Sequence, residues 1–421
     1  MMQTLKRCST TGSLGESILD YEDILTEILV RVPALALVRC KCVSKRWLSF
    51  LSNPKFCHLH TLRNPRPPIS GFFSELSKRF YFVPLDIDHD RPTSPTNCRN
   101  QTLTGSARSH LPTCNPLNFV LHPCGIQIMQ SCNGLFLCRI QPLDDTANRL
   151  VYYVLNPTTN KFSPLTPPAA AAAASTGDPR VFGYALAFDP SKSPHYKVVF
   201  LWFVEEPVAE GIWWPYYHIE VYSSETRSWR LLDSSFETQS QVDYRLGVYC
   251  NGAVHWLGMD CEMSYYHIDE ERVGFVDGFP SYGANFHSTM CTYVRESHAG
   301  GRLHLIDIKL QSPTQFTVFE MGKDYSGWFS KYNVDLDPLC TAYPHILQYR
   351  CAILSLAPDE NDEDEESSYL LMLHTPGTVI SYNLKNNTFK STDLIPKVPV
   401  DDSYCRVGYE NYRYVESLAV V

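Results

Sequence analysis

Only a few side chains are spaced so that they could do chemistry. His58 and His60 stand two residues apart and could chelate a metal, but no full ligand set surrounds them, and the plainer account is the solvated end of a helical segment. Asp86, Asp88, His89 and Asp90 resemble the oxygen-rich start of a calcium loop, yet the turn-forming Gly and the closing bidentate Glu are missing. Glu205, Glu206 and Glu210 precede Trp213 and Trp214, and carboxylates beside stacking rings are the apparatus of a carbohydrate site. A loop that offers aromatics to another protein uses the same residues, and that reading is favoured. No P-loop, G-x-G-x-x-G or G-x-S-x-G run occurs. The expectation is a protein with no catalytic residues, no cofactor and no metal.

The fifteen cysteines agree with this. Their number is odd, their spacing is scattered, and no C-x-x-C is present. Cys40 and Cys42, two apart on a helix, do not face each other. Reduced thiols acting as small hydrophobes fit a cytoplasmic or nuclear setting, or both.

Whatever the chain does must therefore be done by surfaces, and composition bounds which. A chain of 421 residues with 44% hydrophobic and 19% charged residues is globular, with two or three domains. A net charge of −9 does not suit nucleic acid, which is held by clustered Lys and Arg. Nor is there an apolar run of about 18 residues to cross a bilayer. Residues 1–18 read as a disordered leader.

Residues 21–60 read as helical. Ile24, Leu25, Ile28, Leu29 and Val32 draw one apolar stripe down a helix that begins with Asp20, Glu22 and Asp23 and ends at Pro33. A short second helix carries Leu37 and Val38. Ser44 is placed to cap a third, containing Trp47, Leu48 and Leu51 and closed by Asn53-Pro54. The domain limits expected are a three-helix module over 19–62, a proline-rich linker over 63–72, and a separate domain over 73–421.

Beyond the linker, β-type runs take over: RFYFVPL, GLFLCRI, VYYVLNP, YKVVFLWFV, HIEVYSS, GAVHWLG, RLHLIDI, YLLMLHT, VISYNL and YVESLAVV. A weak repeat runs through them. VLNPTTNKF, VYSSETRSW and SYNLKNNTF each join a strand end, a polar turn and an aromatic; HIDEERVGF and IKLQSPTQF are degraded copies. The aromatics Phe162, Trp229, Phe275, Phe316 and Phe389 fall 67, 46, 41 and 73 residues apart, the longer gaps holding insertions. Four short strands in about 40–50 residues make a propeller blade. The fold class expected is mainly β, with six blades, or seven as the alternative, closed by YVESLAVV against strands near Phe80 or Phe136.

A module of about 40 residues can rarely bury a core of its own. Ile24, Leu25, Ile28, Leu29, Val32, Leu37, Val38, Val43 and Trp47 are more apolar surface than three short helices enclose, so some of it must meet another surface. The order of these residues, with the Pro33 break, the V-S-K-R-W run Val43 to Trp47 and the N-P-K-F ending at Phe56, closely resembles the F-box motif of plant F-box proteins. Two positions depart from it: Asp20-Tyr21 stands where the family has Leu-Pro, and Ala36 where it often has a capping Ser. SCNGLFLC, NPTTNKF, YALAFDPSKSPHYKVV, VYSSETRSWR and NGAVHWLG in the remainder resemble the F-box-associated domain.

The resemblance implies a substrate-recognition subunit of a Skp–cullin–F-box ubiquitin ligase. Ile24, Leu25, Ile28, Leu29, Pro33, Leu37, Val38, Val43 and Trp47 would dock on a Skp-type adaptor, and through it a cullin. The β domain would bind a protein substrate through residues the sequence does not single out. The alternatives are a propeller acting on carbohydrate and a small DNA-binding helical module. The latter offers Lys45 and Arg46, but apolar contact takes up most of its third helix.

Overall fold

In a computed structural model the described residues form four short N-terminal helices followed by twenty-three strands arranged in six sheets, with one more short helix, Asp337–Ala342, between two of the sheets. The structure describes residues 22–65, 67–76, 79–85, 116–120, 126–140, 151–166, 168, 181–209, 212–233, 235–237, 242–258, 262–276, 289–297, 301–309, 311–344, 346, 352–358, 369–375, 377–394 and 411–421. The leader expected over 1–18, the calcium-like Asp86–Asp90 run and Glu210 lie outside the described residues.

Five sheets are each built from four consecutive strands. They are β3–β6 (Gln127–Cys132, Leu135–Ile140, Val151–Asn156, Lys161–Pro164) and β7–β10 (Val181–Ala187, Lys197–Ala209, Ile212–Ser223, Ser228–Leu231). Next come β11–β14 (Val248–Cys250, Ala253–Leu257, Met263–His267, Arg272–Val276) and β15–β18 (Leu303–Lys309 and Ser312–Met321 between Thr289–Glu296 and Trp328–Asp335). The fifth is β19–β22 (Ala352–Pro358, Tyr369–Thr375, Thr378–Asn383, Phe389–Asp393). The sixth is composite, because C-terminal β23 (Asn411–Val415) pairs with β1 (Ile69–Leu76), which pairs with β2 (Arg79–Pro84). The blade number is six, and the ring closes on the Phe80 strands, not on Phe136. Strand β1 begins at Ile69, inside the stretch expected to be linker.

The reason for the ring is visible in β4 and β8. Phe136 and Cys138 of β4 pack toward the composite blade, while Leu135 and Leu137 pack toward the β7–β10 blade. Along β8, Val198 and Phe200 face back toward β3–β6, and Val199 and Leu201 face forward toward β11–β14. A strand buried on both faces cannot lie at a sheet surface. Each blade is thus sandwiched between two others, and one apolar core sits at each of the six blade junctions.

The repeat has a backbone cause. In three blades the third and fourth strands are joined by four-residue loops whose last residue is left-handed, Asn160, Arg227 and Glu271, with φ of 55°, 54° and 52°; the loop of β19–β22 has five residues, and Asn387, with φ of 58°, is its fourth. Asn156 and Asn383 open two of these loops and accept backbone N–H bonds within them. Two expected aromatic positions shift. Val273, not Phe275, is equivalent to Phe162, Trp229 and Phe389, and IKLQSPTQF joins a second strand to a third, with Phe316 buried in a junction. Phe329 holds the corresponding place in that blade. Asn133-Gly134 and Asn251-Gly252 form two-residue turns with both φ positive, as expected of Asn-Gly hairpins.

Candidate functional site

The helical module consists of α1 (residues 22–29), α2 (Ala34–Cys40), α3 (Lys45–Leu51) and α4 (Pro54–Arg63). The fourth helix exceeds the three expected. Asn53 closes α3 and at once caps α4, its Oδ1 accepting the Lys55 N–H at 2.9 Å. Ser44 Oγ accepts the Trp47 N–H at 3.2 Å, the capping bond its position implies. Helix α4 then holds the corner between α1 and α2: His60 Nε2 donates to Val32 O at 2.9 Å, and Asn64 Nδ2 donates to Val30 O at 2.7 Å. His60 is therefore a buried structural group, not a solvated helix end, and burial lowers its pKa. Among the described residues no group of three or more His, Cys, Asp and Glu could hold a metal.

The apolar residues of this module divide into two populations. Leu29, Val30, Ala34, Leu37, Leu51, Phe56 and Cys57 form its core, with Leu37 fully buried. Leu25, Val38 and Trp47 are half-buried against that core. Ile24, Ile28 and Val43 are 61%, 55% and 68% exposed, Pro33 is exposed as well, and Leu48 joins them at 50%. The single stripe read along α1 is thus two: Leu25 and Leu29 face inward, Ile24 and Ile28 face outward. Of the nine residues expected to dock, Leu29 and Leu37 are occupied by the module's own fold. Leu59 and Leu62 of α4 add exposed apolar surface that the sequence reading did not single out.

The module is not hinged on a free linker. Leu418, three residues past β23, is 2% exposed and buried in the module's core. Glu416 Oε2 accepts the Leu35 N–H at 3.1 Å, at the start of α2. Helix α2 follows Pro33 and has no side-chain cap of its own, so the carboxylate supplies what a capping Ser would. The same C-terminal segment is bonded to the β3–β6 blade. Asn156 Nδ2 donates to Ser417 O and Ala419 O at 3.0 and 2.8 Å, and Ser417 N donates to Thr158 Oγ1 at 3.1 Å. Gly134, at φ +86°, lies beneath it, where a Cβ would come within 2.5 Å of Ser417 Cβ.

Strand direction alternates within each blade, so turns from first to second and from third to fourth strands share one end of the propeller. The Gly134 turn and the Asn156 loop belong to that end, which therefore carries the helical module. Second-to-third turns and blade-to-blade connections share the other end, where the β8–β9 hairpin runs on past the register of β7. In that hairpin Glu206 lies opposite Trp214 and Glu205 opposite Pro215.

A helical module with outward apolar side chains, fixed to one end of a six-bladed propeller, is the architecture of an F-box followed by its associated domain. Residues 22–59 match the F-box domain, and residues 99–293 the F-box associated beta propeller domain. F-box protein At5g07610 of Arabidopsis thaliana is 32% identical, over 98% of this chain and 94% of its own length. F-box protein DOR of the same plant is 24% identical, over 56% of this chain and 53% of its own. A Bacteroides thetaiotaomicron protein of unknown function covers 70% of this chain and 66% of its own at 8% identity, with a TM-score of 0.33, too low to add anything. The chain belongs to the plant F-box proteins that carry an F-box-associated β-propeller. Membership implies, in general terms, substrate recognition for a Skp–cullin–F-box ubiquitin ligase, and such proteins are as a rule non-catalytic adaptors.

Proposed function

We propose that this chain is a substrate-recognition subunit of such a ligase, docking on a Skp-type adaptor through the outward face of its F-box and holding a protein substrate on its propeller. The observation that carries the reading is the outward set Ile24, Ile28, Val43 and Leu48. Large aliphatic side chains left exposed on helices whose core is otherwise full are the usual mark of a protein interface. Leu25, Val38 and Trp47 form the floor of this face, and Pro33 its rim.

The substrate surface follows from the same geometry. The module occupies one end of the ring, which leaves the opposite end, to which the β8–β9 hairpin belongs, as the substrate surface in this reading. Loops carried on a rigid scaffold are where binding residues concentrate. The receptor then works by proximity: it raises the effective concentration of substrate lysines near a ubiquitin-charged enzyme carried by the complex, with no bond chemistry of its own. Co-purification with a Skp-type adaptor, followed by mass spectrometry of the full chain against one lacking residues 1–60, tests both halves. Partners lost on truncation belong to the ligase and partners kept are substrates.

A further inference from the structure

The composite blade is one strand short. Among the described residues it has three strands where the other five sheets have four, and the missing place is the outer one, beyond β2. By register, β2 is a third strand. Leu85, just past its end, donates its N–H to Ser70 O at 3.0 Å. Ser224 to Tyr196 O, Ile268 to Gly252 O and Leu384 to Tyr369 O make the same bond after β9, β13 and β21, at 3.0, 3.0 and 2.9 Å. Bonded and non-bonded pairs alternate along an antiparallel ladder, so Val83 and Tyr81 bond to β1 while Phe82 and Phe80 turn their N–H and C=O away from it. The counterparts of Phe80 in two other blades use those groups on the fourth-strand side: Ile219 O accepts from Leu232 N, and Tyr152 O from Leu165 N, both at 2.9 Å.

The surface beside that edge lacks the cover its counterparts have. Of residues 80–84 only Val83 is buried, with Phe80, Tyr81 and Phe82 partly so, whereas four of the six residues in each of β5 and β21 are buried. No charged residue stands between Phe80 and Pro84, and a proline closes only the last position, so the edge is a template for pairing and not a guarded one. The five intact blades show the chemistry that covers such an edge. Their fourth strands read KFSP, SWRL, RVGFV, WFSKYNVD and FKSTD. Each carries a Lys or Arg, and the only carboxylates are the terminal Asp335 and Asp393. In three of them an aromatic lies opposite the next-to-last residue of the third strand: Phe162 on Leu155, Trp229 on Tyr222 and Phe389 on Tyr382. On β2 that place is Val83. A net charge of −9 also draws a basic segment toward the chain.

We infer that the outer edge of β2 binds an extended segment of a partner protein by strand addition, the segment carrying an aromatic residue next to Lys or Arg. It runs antiparallel to β2, exchanges N–H and C=O bonds with Phe80 and Phe82, and sets its aromatic opposite Val83. The site lies on the rim of the ring, apart from the F-box and from the β8–β9 hairpin, and rests on neither half of the function proposed above.

Fluorescence anisotropy of the full chain with a labelled, end-capped peptide copying Thr226–Leu232 (TRSWRLL) tests this. The peptide is expected to bind. Phe80→Pro, which removes an edge-facing N–H without breaking a bond to β1, is expected to weaken binding at least tenfold, as is replacing both arginines of the probe by Asp. The probe's own backbone gives a test that needs no protein variant. In β10 the Arg230 N–H faces the neighbouring strand and the Trp229 N–H faces away, so N-methylation at the Arg230 position is expected to abolish binding and at the Trp229 position to leave it unchanged. Thermal unfolding shows whether Phe80→Pro is folded, and the methylated peptides decide if it is not. Amides of Phe80 and Phe82 are expected to exchange quickly in the chain alone and slowly with the peptide. No binding at concentrations up to about 1 mM, equal loss from the two methylations, or equal affinity for the Asp-substituted probe overturns the inference. So does protection of Phe80 and Phe82 in the chain alone, whether by a segment of its own or by a second copy.

Discussion

Glu416 and Leu35, 381 residues apart in sequence, are joined by a hydrogen bond of 3.1 Å from the Leu35 N–H to the Glu416 carboxylate. The bond ties the start of an F-box helix to the strand that closes the propeller. With Leu418 buried in the F-box core, it makes the segment after β23 a strap shared by both parts.

Cutting that strap loosens the module. Leu418→Ala is expected to cost about 2–5 kcal/mol, the usual range for a buried Leu. Glu416→Gln, which keeps an acceptor but loses the charge, costs about 0.3–1 kcal/mol. Hydrogen exchange is the measurement: amides of α1 to α3 lose protection in Leu418→Ala while those of β7–β10 keep theirs. Uniform loss through both would show that the strap acts on the whole fold.

Inward and outward residues of the module separate by stability. Leu37→Ala is expected to destabilise by about 2–5 kcal/mol and Val43→Ala by less than about 0.5 kcal/mol, because one is fully buried and the other largely exposed. Thermal denaturation of the two variants checks the division, and equal losses would contradict it.

The third-to-fourth strand loops carry backbone strain that glycine relieves. Arg227 holds φ 54° on a side chain with no local means of offsetting the left-handed conformation. Arg227→Gly is expected to raise stability by about 0.5–1 kcal/mol. Asn160→Ala, which loses the residue type best suited to φ 55°, is expected to lower it by about 1 kcal/mol. Denaturant midpoints at unchanged slope read both effects.

Two desolvated groups, Glu296 half-buried and His255 buried, titrate in opposite senses. The folded pKa of Glu296 is raised to about 7, so its contribution is fully present below the unfolded value near 4.5 and is lost as pH rises to about 7. Burial lowers His255 to about 4. Its contribution is present above about 6.5 and is lost as pH falls toward 4. Replacing Glu296 by Gln removes only the first. The variant should exceed the native chain by about 3 kcal/mol at pH 8 and converge with it near pH 4.5, a comparison made by unfolding at both pH values. The neutral His255 that this requires has its Nδ1–H on Val248 O and its Nε2 accepting from Tyr325.

The sequence was legible where strands are buried on both faces. Nine of the ten apolar runs fall on second or third strands of their blades, such as GLFLCRI on β4 and YKVVFLWFV on β8, because those strands alone meet neighbouring blades on both sides. First strands turn part of their length to a polar channel, and QIMQSC and TMCTYVRE carry no continuous apolar signal. Fourth strands face solvent, which is why Phe162, Phe275 and Phe389 are exposed. The repeat was legible through its polar turns and following aromatics, and lost its register where a loop lengthened to six residues, at Gly322–Gly327.

In the F-box, residue types and order were sufficient for the motif but not for the direction of each side chain. Ile24 and Leu25 are adjacent and chemically alike, and only the packing of α1 against α2 and α4 decides which one turns inward. The role of Glu416 had no local signal. The capping place expected at Ala36 lies inside α2, whose N-cap is Pro33, and the acceptor at the helix start comes from the far end of the chain.

Co-purification of a Skp-type adaptor with Ile28→Asp/Val43→Asp bears most directly on the central claim. Both residues are more than half exposed, so the doubly substituted F-box stays folded, which circular dichroism and protection of α2 confirm. The account predicts that the adaptor is lost while the propeller's own partners remain. An adaptor retained in native amount on that folded variant would contradict it.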